Sequence, residues 1–284
     1  MINSNIFPCF WFDGKANEAA QLYTDVFPNA VVTVNSPVVV NLEINGQKLM
    51  LLNGGPMFQP NPSVSIMVMC ETDEEVENYY NKLSPDGKVL MELNSYPWSD
   101  KFAWINDKFG VSWQFYKGDK MEQKYVPTLM FVQENNGKCR EAMNFYTSIF
   151  PNSKIDGILE HTEASGDLAG MVAHAWFVID NYSLYAMDCG TTHDFSFTEG
   201  ASIVVMTADQ EETDKYWNAL TSDGGQESQC GWLKDKYNLS WQIVPHRLIH
   251  LMNDPNREKS QKVVEAMLKM KKIIIADLEA AYNS

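Results

Sequence analysis

Apolar and polar positions along the chain follow a rhythm that changes period and then starts again. An apolar run at 7–12 predicts a short strand, and a run at 126–132 predicts its counterpart. After the first run the spacing lengthens to three and four. Ala19, Leu22, Tyr23 and Val26 share one side of a helix that ends at Phe27-Pro28-Asn29. Proline lacks the N–H that a continuing helix needs, and asparagine suits the turn that follows. Three β-rich stretches come next, around Val31–Val34, Val38–Ile44 and Leu49–Leu52, with Asn45-Gly46 placed for a type I′ hairpin turn. A strand at 64–69, a helix at 73–83 and strands ending in Val111–Tyr116 then repeat the order β-α-β-β-β.

The rest of the chain restates this pair of modules. YTDVFPN at 23–29 returns as YTSIFPN at 146–152, and Gly14, Lys15, Glu18 and Ala19 return as Gly137, Lys138, Glu141 and Ala142. SIMVMC at 65–70 matches SIVVMT at 202–207, and AWINDKFGVSWQ at 103–114 matches GWLKDKYNLSWQ at 231–242. Units this long are duplicated domains, because solenoid repeats are far shorter. The polar stretch KGDKMEQK at 117–124 reads as the linker, giving domains at 1–118 and 124–284. Only the second copy carries the tail NREKSQKVVEAMLKMKKIIIADLEAAY. Val263, Met267, Met270, Ile274 and Leu278 form an apolar stripe there, on one helix or a broken pair. Such a stripe packs into a core or docks a partner.

Composition narrows the function classes. At 45% hydrophobic and 21% charged the chain is an ordinary globular protein. A net charge of −15 repels phosphate backbones, so nucleic acid is not an expected partner. No basic amphipathic or long apolar stretch suggests a membrane, and the start lacks the pattern of a secretory leader, which points to the cytoplasm. Five scattered cysteines with no C-x-x-C pair read as reduced thiols. The acidic starts ETDEEV and ADQEET complement helix N-termini. No glycine-rich dinucleotide turn, P-loop or nucleophile elbow occurs.

FDGKANEAAQLYTDVFPN, SIMVMCETDEEVENYYNKL and DKFGVSWQ, with VVMTADQEETDKYWNAL and CGWLKDKYNLSWQIVP in the second copy, carry a family resemblance. The chain resembles the vicinal oxygen chelate superfamily of glyoxalases, bleomycin-resistance proteins and dioxygenases. Within it, the chain is most similar to the PhnB-like branch, whose domains bear the label 3-demethylubiquinone 3-methyltransferase. The resemblance implies an α+β fold of two tandem glyoxalase-like domains with a C-terminal helix. Each domain would hold two βαβββ modules whose curled, mostly antiparallel sheets enclose a barrel-like cleft. It also implies an intramolecular pseudo-dimer, with a homodimer left open. The methyltransferase label fits the residues poorly, since a Rossmann-type enzyme needs a glycine-rich turn and a parallel sheet.

Enzymes of this superfamily hold a divalent metal in the cleft, with His and Glu ligands from the first and last strands of each module. Carried over position by position, those places hold Cys9, Asn53, Ser65 and Gln114 in the first copy. In the second they hold Thr128, Asp188, Ser202 and Gln242. His174, in the strand HAWFVI, joins them as a cleft candidate. Glutamine therefore stands where the family pattern has glutamate. Strand alternation puts Ser112 and Gln114 on one face and Trp113 on the other. His246 and His250, four apart, read as surface residues; His161 and His193 fall in loops. The leading expectation is a small-molecule ligand bound in the cleft without a resident cofactor, a divalent metal ion staying open. The alternative is a metal-dependent lyase, isomerase or dioxygenase centred on the second domain, with His174, Asp188 and Gln242 as catalytic candidates.

Overall fold

The computed structural model describes residues 4–284. They divide into two compact units, Pro8–Ala201 with Ser4, and Ser202–Ser284 with Asn5–Phe7.

The β-α-β-β-β order appears four times. The first module is β1 (Ile6–Phe12), α1 (Ala16–Val26), β2 (Ala30–Asn35), β3 (Val39–Ile44) and β4 (Gln47–Asn53). The second is β5 (Val64–Cys70), α2 (Asp73–Leu83), β6 (Lys88–Tyr96), β7 (Ser99–Asn106) and β8 (Ser112–Lys117). The third is β9 (Tyr125–Phe131), α3 (Cys139–Ile149), β10 (Lys154–Glu160), β11 (Val172–Ile179) and β12 (Tyr182–Asp188). The fourth is β13 (Ala201–Thr207), α4 (Gln210–Leu220), β14 (Gln226–Glu227), β15 (Trp232–Lys234) and β16 (Ser240–Pro245).

Local chemistry sets the helix ends. The duplicated Phe-Pro-Asn stops α1 and α3 because Asn29 (φ 57°) and Asn152 (φ 49°) enter the left-handed region that asparagine tolerates. Thr72 Oγ1 accepts from Glu75 N at 3.2 Å and Asp209 Oδ1 from Glu212 N at 2.9 Å, capping α2 and α4 as their acidic starts suggest.

The larger unit contains an eight-stranded sheet in the order β10-β11-β12-β9-β5-β8-β7-β6. The second module of one copy and the first module of the other thus share a sheet. Antiparallel pairing of β5 with β9 joins them, Ser65 opposite Thr128 and Met67 opposite Val126. In each half the module's first and last strands run parallel, β5 with β8 and β9 with β12. The sheet ends in two edges, so the barrel-like outline expected from sequence is an open sheet. The same unit also holds β1, β4, β3 and β2, paired in that order. The segment MELNSYPWS belongs to the β6–β7 hairpin. The longer second-copy connection contains β10 and a 3₁₀ turn at Glu163–Leu168.

Helices cover one face of the eight-stranded sheet. Trp113 and Phe115 of β8 lie under aromatic residues of α1 and α2, with Tyr23–Trp113 centroids 5.2 Å apart and Tyr79–Phe115 centroids 6.0 Å apart. Phe177 of β11 stacks on Tyr146 of α3. Burying these rings removes a large apolar area from water.

In the smaller unit β13, β16, β15 and β14 pair in that order and α4 packs on β15 and β16. Three helices follow: α5 (His246–Met252), α6 (Arg257–Met267) and α7 (Ile275–Asn283). The apolar stripe falls on a broken pair. Val263 and Leu278 are fully buried with Leu248, Leu251 and Ile273, and Met267 and Met270 pack against them. The stripe thus packs into a core inside the unit, as the first of its two readings has it, with Ile273 buried where Ile274 was expected. Among the described residues no helix is long and apolar enough to cross a membrane.

Candidate functional site

The motif D-K-[FY]-x-x-S-W-Q builds the last strand of each copy. Asp107 Oδ1 accepts the backbone N–H groups of Phe109 (2.9 Å) and Val111 (3.1 Å), closing the turn. Its Oδ2 accepts the Tyr23 hydroxyl at 2.7 Å and the Trp113 indole N–H at 3.0 Å. Asp235 repeats the pattern with Tyr237 N, Leu239 N and the Trp241 indole at 2.8, 3.1 and 2.9 Å. The turn needs a left-handed residue, Gly110 in one copy and Asn238 in the other. Burial raises the Asp107 carboxyl while these four donors pull it back. With Trp113 and Trp241 held toward the helices, the residues on either side of each must face away.

That second face collects the site. Cross-strand partners share a face, so one chain of pairings places Gln114, Met67 and Val126 together, and another Ser112, Ser65, Thr128 and Tyr185. Gln114 donates through Nε2 to Ser65 Oγ at 2.8 Å, and Trp104 donates its indole N–H to Ser112 Oγ at 2.8 Å. The His174 ring lies 5.0 Å from Tyr185 and 6.0 Å from Trp176. Met67, Met69, Val126 and Tyr185 form a buried cluster with Tyr116 and Met121 against it, and the Tyr185 hydroxyl donates to Met121 Sδ at 3.1 Å. The result is an amide–hydroxyl strip at the sheet centre, walled by thioethers and aromatic rings.

The expected residues do not all meet there. Ser65, Gln114, Thr128 and His174 share this face. Asp188 does not: Ala175 pairs with Ala186, so His174 and Asp188 lie on opposite sides of the sheet. Asp188 Oδ1 accepts Gly137 N at 2.8 Å and Cys139 N at 3.2 Å, capping the start of α3, and Oδ2 accepts Val172 N at 3.1 Å. Asn53 performs the same task in the first copy, accepting Ala16 N at 2.9 Å at the start of α1. Both were expected on the cleft wall; strand alternation turns both toward the helix ends instead. Cys9 lies opposite Met50, on the other side of its sheet from Asn53. In the smaller unit Gln242 donates to Ser202 Oγ at 3.0 Å, and Ser240 Oγ is buried without a hydrogen-bond partner. His246 and His250 are exposed. The motif aspartates Asp107 and Asp235 escaped the sequence reading, although an Asp six residues before a shared Trp in both copies was the available signal.

Electrostatically the face is neutral. Burial alone pushes the His174 imidazole down to about 4, so it carries no charge at neutral pH. Burial also pushes the Tyr185 hydroxyl up to about 12, leaving it protonated. A hard divalent cation requires several carboxylate or imidazole donors. Among the described residues no three His, Cys, Asp or Glu side chains converge on one point. The donors present on this face, one imidazole with amide, hydroxyl and thioether groups, do not fit such an ion.

The family model for 3-demethylubiquinone-9 3-methyltransferase matches this chain twice, over residues 4–116 and 123–244. The chain is 36% identical to a putative 3-demethylubiquinone-9 3-methyltransferase, PhnB protein, from Bacillus cereus. That match covers 39% of this chain and 98% of the other, with a TM-score of 0.37. Glyoxalase I from Zea mays is similar at 11% identity over 84% of this chain and 91% of the other, with a TM-score of 0.59. At that identity the likeness is one of fold. No curated protein matches the chain.

Proposed function

We propose, for a chain that belongs to the PhnB-like 3-demethylubiquinone-9 3-methyltransferase family and has the glyoxalase fold, that it binds a small, uncharged, largely apolar molecule without a divalent metal. The binding surface is the face of the eight-stranded sheet turned away from α2 and α3. The observation that carries this reading is the Gln114–Ser65 hydrogen bond at the centre of that face. A neutral amide and hydroxyl occupy positions where the superfamily pattern has metal ligands; Met67 lies beside them, and Tyr185, His174 and Trp176 continue the same face across β12 and β11. Thioethers and rings adapt to flat apolar ligands, and a few polar groups fix orientation. Residues 1–118 and 124–284 are the units of duplication in this reading.

The activity in the family's label receives no support from the fold. The eight-stranded sheet is mixed, with antiparallel pairs between β5 and β9, β7 and β8, and β11 and β12. It therefore has no parallel switch point at which a nucleotide-like methyl donor would sit. The metal-dependent alternative loses its polar centre, because His174 and Asp188 face opposite sides.

Titration with the neutral dye N-phenyl-1-naphthylamine tests the proposal. Saturable binding is expected, unchanged by a chelator and several-fold weaker in Trp176→Ala. Binding that a chelator abolishes, or no binding at all, would overturn it.

A further inference from the structure

Among the described residues, β2, β6, β10 and β14 stand at sheet edges. An open edge presents unpaired N–H and C=O groups, and proteins protect it with charges, bulges or brevity. Three of the four follow this rule. β6 carries Lys88 and Glu92 and breaks register three times. β10 carries Lys154, Asp156 and Glu160. β14 is two residues long. β2 departs from it: Ala30-Val31-Val32-Thr33-Val34-Asn35 has no charge and no proline.

Its side chains are exposed on both faces. Val31 is 52%, Val32 43% and Val34 41% exposed, and Val38 just beyond is 57% exposed. One bulge falls at Thr33, whose hydroxyl donates inward to Asn41 O at 3.3 Å. Such a strand is a strong β-former, guarded by that single bulge and by no charge or proline.

We propose that β2 pairs antiparallel with β2 of a second copy of this chain across a twofold axis, extending the sheet through a homodimer. Charge supports this occupant. Each chain carries −15, so two copies approach most readily where the surface is neutral, and among these edge strands β2 alone has no charged side chain. Self-pairing is also complementary by construction: each open backbone row meets an equal row, and valines meet valines or threonine. A charged foreign peptide would find no counter-charge on this strand.

Sedimentation equilibrium of the full chain across a concentration series tests the proposal. The wild type is expected to reach twice its 32.3 kDa chain mass. Val32→Lys and Val34→Lys are each expected to weaken association on the order of tenfold or more, with unchanged far-ultraviolet circular dichroism and melting. Amides of residues 30–35 should gain hydrogen-exchange protection as concentration rises. A wild type that stays monomeric, or lysine variants that associate as the wild type does, would overturn the proposal.

Discussion

Gln114 donates its side-chain N–H to Ser65 Oγ across the parallel pair β5–β8, at 2.8 Å. Gln242 does the same to Ser202 across β13–β16, at 3.0 Å. Both pairs are buried and neutral, and both depend on the preceding tryptophan being fixed on the opposite face by an aspartate.

Gln114→Glu puts a carboxylate into this apolar face. A buried acid has its folded-state pKa raised, so the penalty appears as pH rises above the unfolded value of about 4.3 and is absent well below it. Destabilisation of about 2–3 kcal/mol is expected near pH 8 and much less near pH 5, measured by urea unfolding at both.

Asp107→Asn leaves the Tyr23 hydroxyl and the Trp113 indole competing for an amide that has one acceptor oxygen. A loss on the order of 3 kcal/mol is expected by urea unfolding. Trp113→Phe, which removes one bond and some ring area, should cost less than Trp113→Ala. Equal stability of the Asp107→Asn variant and the wild type would contradict the anchoring role.

Asp188 and Asn53 do the same work in the two copies, so Asp188→Asn is the conservative test. The amide keeps an acceptor for Gly137 N and Cys139 N and gives up the one for Val172 N, a loss of about 1–2 kcal/mol. Asp188→Ala gives up all three and should cost about 3 kcal/mol or more. Thermal melting of the two variants would order them. Dye binding should survive in the asparagine variant.

His174 gives a pH signature. Its folded pKa lies near 4, below the ordinary 6.5, because burial disfavours the imidazolium. The unfolded chain therefore binds this proton first as pH falls. The stabilising contribution is full above 6.5 and is lost as pH falls toward 4. His174→Phe should remove that loss, making the variant relatively more stable by up to about 3 kcal/mol at the acid end. The His174 Cε1 proton, followed by nuclear magnetic resonance, should titrate near 4.

The four-module order was legible because hydrophobic period and turn chemistry are local: the Asn29 and Asn152 stops, the Asn45-Gly46 hairpin and the capped acidic helices each declare themselves within a few residues. Alternation around Trp113 also placed Gln114 and Ser112 correctly. What stayed hidden depends on distant partners. That β5 would pair with β9, joining halves of two copies, is a tertiary choice that neither strand's pattern encodes. Asp188 was expected in the cleft because the family resemblance puts a ligand position at the end of that strand. Its engagement by Gly137, Cys139 and Val172 is visible only when α3 docks. Asp107 and Asp235 went unread, because the indoles that both hold and the hydroxyl that Asp107 holds lie outside their own turns.

Elemental analysis of the protein purified without chelator, followed by zinc titration calorimetry, tests most directly whether these faces work without a metal. Far less than one equivalent of any divalent metal per chain, and no tight zinc binding, is expected. One equivalent or more that leaves together with dye binding, and that Gln114→Ala or His174→Ala removes, would contradict the account.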